Sequence, residues 1–229
     1  MSFTITDQGQ TTNTTGSPLT LTTATSIPAG STIVVITYEK NAAGTTGTVS
    51  DSAGNVYTKE DNVSPAATNT DGRGAIWFVT NCLGPVTSIS YTKQTTTVNA
   101  YMGALSATAG GPISLDTHAT PVTGTGTTIN ISVTGTSGTE WYVFGFCTNI
   151  YSAGDITAFT QASGFNNGFD VAQASGGGTG GGGGNRTGTG TQTWNSTFSS
   201  VSRAFASFFL VFKEGPIAKP NRRIIRRYY

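Results

Sequence analysis

The sequence is poor in the residues that carry most protein chemistry. Its 229 residues hold one histidine, two cysteines and three tryptophans, and only 10% are charged, well under the usual quarter. A zinc site could draw on His118, Cys82, Cys147 and scattered carboxylates, with no CxxC or HxxxH spacing to gather them. A serine triad would have to use His118, in "SLDTHATPVTG", and no G-x-S-x-G elbow exists to present the nucleophile. Paired carboxylates of a glycosidase would come from only 11 acidic residues, most of them in turn-like segments. No metal, cofactor or enzymatic activity is therefore expected. No run approaches the ~18 apolar residues of a membrane span, and "MSFTITDQGQ" lacks the pattern of a secretory signal. For an unsecreted chain, Cys82 and Cys147 read as buried free thiols.

What is abundant points to β-structure. Thr occurs 43 times and Gly 31 times, beside 12 Phe and 8 Tyr. Thr is β-branched and suits pleated, half-exposed surfaces, and the aromatics separate this composition from that of a disordered chain. Strand-like runs recur at 17–25, 31–39, 47–60, 74–81, 86–92, 98–106, 127–135, 140–148, 191–199 and 202–213. "LTLT", "TSISYT" and "TINISV" alternate apolar residues with Ser, Thr or Asn, as half-buried strands do. "TIVVITY", "WYVFGF" and "FASFFLVF" are almost continuously apolar. They read as central strands covered on both sides, or as strands whose outer face meets a partner. No window shows a 3.6-residue period. The expected fold is all-β: a single β-sandwich of jelly-roll or Ig-like type over 1–213, with about ten or more strands. Ile33, Val35, Ile76, Phe78, Val143, Phe205 and Phe209 should point inward.

Three segments invite a chemical reading. Asp51, Asn55, Glu60 and Asp61 in "DSAGNVYTKEDN" could be oxygen ligands for calcium, but the D-x-[DN]-x-[DN]-G loop is absent. Gly54 and Asn55 instead suit a hairpin turn. "SGGGTGGGGGNRTGTG" (175–190) has no Lys for a Walker loop and reads as a flexible Gly-rich surface loop. Asn-x-Ser/Thr triplets at Asn13, Asn62, Asn130, Asn185 and Asn195 are expected by chance in so Thr-rich a chain.

The C-terminus differs from everything before it. Residues 1–218 hold 7 Lys and Arg against 11 acids, whereas the last 11 residues hold five basic residues and no acid. Residues 214–229 read as an extended linker and a docking arm. On a helical wheel Arg222, Arg223, Arg226 and Arg227 cover one side, and Ile224, Ile225, Tyr228 and Tyr229 the other. Two turns are too short to hold alone in water, so the arm is expected to order on a partner.

"IPAGSTIVVITYE", "GTVSDSAGNVYTKE", "IWFVTNCLGPVTSISYT" and "AFASFFLVFK" together resemble β-sandwich domains of tailed-phage virion proteins, with the match concentrated in 27–92 and 203–213. These stretches consist of turn and core residues. The resemblance implies a noncatalytic protein located in the virion and assembled in the host cytoplasm. A capsid decoration (cement) protein bound to the major capsid protein is the leading expectation. A homo-oligomer, with a trimer favoured, is expected separately, from the charge-poor composition and from apolar strands richer than one sandwich interior needs. A tail-associated receptor- or carbohydrate-binding module is the alternative, with Trp194 in the polar "TQTWNST" as the stacking candidate. A jelly-roll capsid protein is the third reading, although four arginines are few for neutralising a genome.

Overall fold

A computed structural model describes residues 2–13, 16–40, 47–63, 72–95, 98–149, 164–173, 179–197 and 202–216. These residues form sixteen strands and no helix. The first eight are β1 (Thr4–Asn13), β2 (Leu19–Ile27), β3 (Thr32–Glu39), β4 (Thr48–Asp51), β5 (Thr58–Val63), β6 (Arg73–Val79), β7 (Val86–Thr92) and β8 (Ala100–Thr108). The second eight are β9 (Ile113–His118), β10 (Val122–Gly126), β11 (Thr128–Thr134), β12 (Glu140–Asn149), β13 (Asn166–Gln173), β14 (Thr179–Gly188), β15 (Thr191–Thr197) and β16 (Arg203–Glu214). Every pairing is antiparallel.

The all-β, sandwich-type class read from the sequence is present, but the single sandwich expected over 1–213 is corrected to two. In the first half, β1-β8-β3-β6-β5 form one sheet and β2-β7-β4 a second. In the second half, β10-β16-β12-β14-β13 form a sheet, β9 also pairs with β16, and β11-β15 form its partner. The halves share one plan: β12, β14, β13, β15 and β16 repeat the places of β3, β6, β5, β7 and β8, while β9 and β10 together replace β1. Only β4 has no counterpart among the described residues.

The two larger sheets pack on each other, so the molecule is four layers deep with three cores. Leu21, Ile33, Val35, Trp77 and Ile89 belong to the core of the first sandwich. Val34, Ile36, Ile76, Val143, Phe208 and Leu210 fill the junction between the sandwiches. Ile131, Phe144, Trp194, Phe205 and Phe209 belong to the core of the second. Consecutive residues of β3 therefore serve different cores, because side chains alternate across a strand. This is why "TIVVITY" reads as a continuous apolar run: β3 and β12 are interior strands of the middle layers, buried on both faces. Of the seven residues expected inside, six are buried, and Phe78 is half-buried edge-on to Phe212 at 5.6 Å between ring centres.

At the junction β1 lies against β13, β8 against β14 and β3 against β12. Phe78 of β6 meets Phe212 of β16, and Glu60 of β5 meets His118 of β9. Each contact is matched by the contact of the equivalent strands, as an approximate internal twofold axis through β3 and β12 requires.

Glycine 175–190 does not read as structure, and here the structure corrects the expectation. Residues 179–188 of that stretch are β14, an interior strand between β12 and β13. A Cβ on Gly181 would lie 2.6 Å from the Tyr101 ring, and one on Gly184 would overlap the Trp194 indole. Large rings on both sides already fill the space that side chains would take.

Candidate functional site

The two site readings from the sequence fare differently. Arg222, Arg223, Ile224, Ile225, Arg226, Arg227, Tyr228 and Tyr229 lie outside the described residues. Trp194, expected to be exposed for stacking on a ligand, is fully buried. Its ring stacks on Phe144 at 4.0 Å, and its Nε1 donates to Ser196 Oγ at 2.6 Å. The polar neighbours misled because they alternate: Thr193, Asn195 and Thr197 face solvent, while Trp194 and Ser196 face the core.

Most described carboxylates are bound into the scaffold. Asp51 accepts from the Ala53 and Asn55 amides, from Asn55 Nδ2 and from the Tyr57 hydroxyl, at 2.8–3.1 Å. Gly54 takes the positive φ that this turn needs, while Asn55 exchanges two hydrogen bonds with the Leu83 backbone. Burial, reinforced by Asp51, pushes the Tyr57 phenol far up, so it stays a donor. Glu39 accepts from the Tyr91 hydroxyl and from the Gln94 and Thr95 amides. Glu140 accepts from Ser137 and Tyr142. Asp116 is held by Lys213 at 2.7 Å and by Thr136. Burial pushes the Asp116 carboxyl up, but Lys213 and Thr136 outweigh it and hold it below the usual carboxylate range. No group of three or more metal-binding side chains occurs among the described residues. Cys82 and Cys147 are free and buried, in different cores.

The two ends of the junction groove are not alike. At the β5–β9 margin His118 Nε2 lies 3.2 Å from Glu60 Oε1. At the equivalent β1–β13 margin there is a pocket of about 280 Å³, lined by Phe3, Ile5, Asp7, Asn166, Asn185 and Thr187. Phe3 and Ile5 are the rim of the central core. Asn185 sits in β14 between Val143 of β12 and Asn166 of β13. It is 3% exposed, and its Oδ1 has no hydrogen-bond partner among the described residues. Sequence reading picks out Asn185 only as a chance glycosylation triplet, and its burial rules out that use in the folded chain.

The outer faces of the stack are uncharged hydroxyl ladders. On β11–β15, Ser132 and Thr193 share a hydrogen bond at 2.7 Å, and Thr134 and Thr191 share one at 2.8 Å. On β2–β7, Thr20 and Ser90 are paired at 3.2 Å. Among the described residues, the large hydrophobic ones that stand out in solvent are Val56 and Leu83, on the two loops that Asn55 ties together. No protein-family model matches the chain, and comparison with curated proteins and with solved structures finds no match.

Proposed function

We propose that the chain is a noncatalytic structural protein of a virus particle, of the capsid decoration type, fastened to the major capsid protein. The observation that supports this reading best is where the charge goes. Six of the seven acidic residues with described side chains (Asp7, Glu39, Asp51, Glu60, Asp116 and Glu140) hold turns, loops or a neighbouring strand in place. The resemblance adds to it, since the described residues of the matching stretches 27–92 and 203–213 fall on core strands and their turns. The locked loops carrying Val56 and Leu83 offer a small apolar contact surface, and the arm at 219–229 a second one.

A trimer on the particle belongs to this proposal because linked copies raise the effective concentration of weak arms. The apolar surplus in the sequence is no argument for it, because the junction between the two sandwiches absorbs that surplus within one chain. The test is to mix the purified protein with pre-formed capsids lacking it. Addition in a fixed ratio, with a rise in capsid melting temperature, is expected. A chain truncated at 218 should stay folded but attach more weakly. Full-length protein that sediments apart from capsids at every ratio overturns the reading.

A further inference from the structure

We propose that the pocket at the β1–β13 margin binds one neutral sugar ring. The inference stands apart from the particle reading, because it rests on the lining of this pocket alone. Asn185 carries it. A buried carbonyl oxygen without a donor has given up its hydration with nothing in return, and native interiors leave few such groups. Asn185 Oδ1 is in that state while its residue lines an open pocket. What it lacks is a hydrogen-bond donor, which a ligand hydroxyl supplies.

The other lining residues narrow the chemistry. Asp7 puts a carboxylate on the wall, and among the described residues no Lys, Arg or His lines the pocket, so an anionic ligand is disfavoured. One carboxylate with amides and a hydroxyl is also a poor set for a calcium ion, which takes 6–8 oxygens. The wall is mostly polar, from Asp7, Asn166, Asn185 and Thr187, with small apolar edges of Phe3 and Ile5. A pyranose matches such a wall through the hydroxyls around its edge, with its C–H groups meeting those apolar edges. Size agrees: at about 280 Å³ the pocket is larger than the site of one bridging solvent molecule. It also lies just below the ~300–1,000 Å³ range of sites for drug-sized ligands.

The opposite margin shows that an opening here is not imposed by the plan of the fold. Its equivalent strands β5 and β9 are bridged by Glu60 and His118.

The experiment is ligand-observed saturation-transfer NMR on the full chain. The probes are common hexoses and N-acetylhexosamines, with calcium chloride and sodium phosphate followed by backbone amide shifts. At least one sugar should show transfer, with protein shifts confined to β1, β13 and β14. Asn185→Ala should weaken that binding about tenfold, the loss of roughly one well-placed hydrogen bond. Should Asn185→Ala fail to fold, Thr187→Val and Phe3→Ala carry the test, because Thr187 is exposed and Phe3 only half-buried. Each should weaken the sugar and leave the melting temperature within a few degrees. The proposal is overturned by no transfer across the sugar panel, by shifts with calcium or phosphate at these strands instead, or by sugar binding that Thr187→Val and Phe3→Ala leave unchanged.

Discussion

The two sandwiches share a strand plan and fill it in different ways. The first has a three-stranded outer sheet, and its core is largely aliphatic, with Leu19, Leu21, Ile27, Val86 and Ile89 from β2 and β7. Among the described residues the second has two outer strands, over rings: Tyr142, Phe144, Phe146, Phe165, Trp194 and Phe209. Phe165 meets Trp194 edge-on at 4.8 Å, and Phe144 stacks on its face. The two described outer strands of the second sandwich are backed by rings, the side chains that bury the most area. Those rings need room below them, and the glycines of β14 provide it. One backbone plan therefore tolerates two packing solutions, provided that volume is conserved across facing layers.

The junction is what the sandwiches have in common, so breaking it should have the largest effect. Ile36 of β3 occupies the space above Gly145 of β12, where a Cβ would overlap it. Ile36→Asp buries an unpaired charge between the two middle sheets. It is expected to abolish the folded state, read as loss of near-ultraviolet circular dichroism, whereas Ile36→Val should cost only about 0.5–1.5 kcal/mol.

Next comes the contrast between the cores. Trp194→Ala should cost about 3–5 kcal/mol in urea unfolding, as for other buried aromatics, and Phe209→Ala a similar amount. Leu21→Ala in the first sandwich should fall nearer the lower end of the aliphatic range, about 2–3 kcal/mol. Equal costs would mean that the aromatic core is no more densely relied on than the aliphatic one. Gly184→Ala tests the other side of the same contact. Its Cβ meets the Trp194 ring and the Asn166 carbonyl, so overpacking of about 1–3 kcal/mol is expected. Combining Gly184→Ala with Trp194→Phe should recover part of that loss.

The smallest effect belongs to Asp116, which ties β9 to β16 and to the turn before β12. Its carboxyl is depressed in the folded chain, so its stabilising contribution is present above the unfolded carboxylate range. That contribution is lost as pH falls below about 4 toward the folded value. Asp116→Asn should therefore be less stable than the parent at neutral pH, and the gap in urea midpoint should narrow between about pH 5 and pH 2. A gap that stays constant across that range would assign the Asp116 contribution to packing.

The strand runs at 31–39, 140–148 and 202–213 were legible because their apolar continuity is a direct image of burial on both faces. The outer-sheet strands β2, β7 and β11 were legible from alternation. The doubling of the sandwich was not, because the equivalent strands share positions and not residue types: aliphatic "TIVVITY" answers to aromatic "WYVFGF". β14 was hidden for a different reason. A glycine strand has no side chains to form a period, and what makes it a strand is Tyr101 and Trp194, which belong to other sheets. The pocket was equally out of reach, since Phe3 and Asn185 are brought to one pocket only by the packing of β1 on β13, beside β14.

The internal twofold has a genetic consequence. In a true homodimer every codon change appears at both symmetric places, so the two ends of the junction groove could not diverge. Here each half has its own codons, and a substitution enters once. One end could acquire the Glu60–His118 bridge while the other kept an open pocket beside Asn185. Covalent linkage also removes the dependence of assembly on protein concentration that a homodimer carries. The chain can thus alter one margin of its symmetric frame without paying for the change at the other.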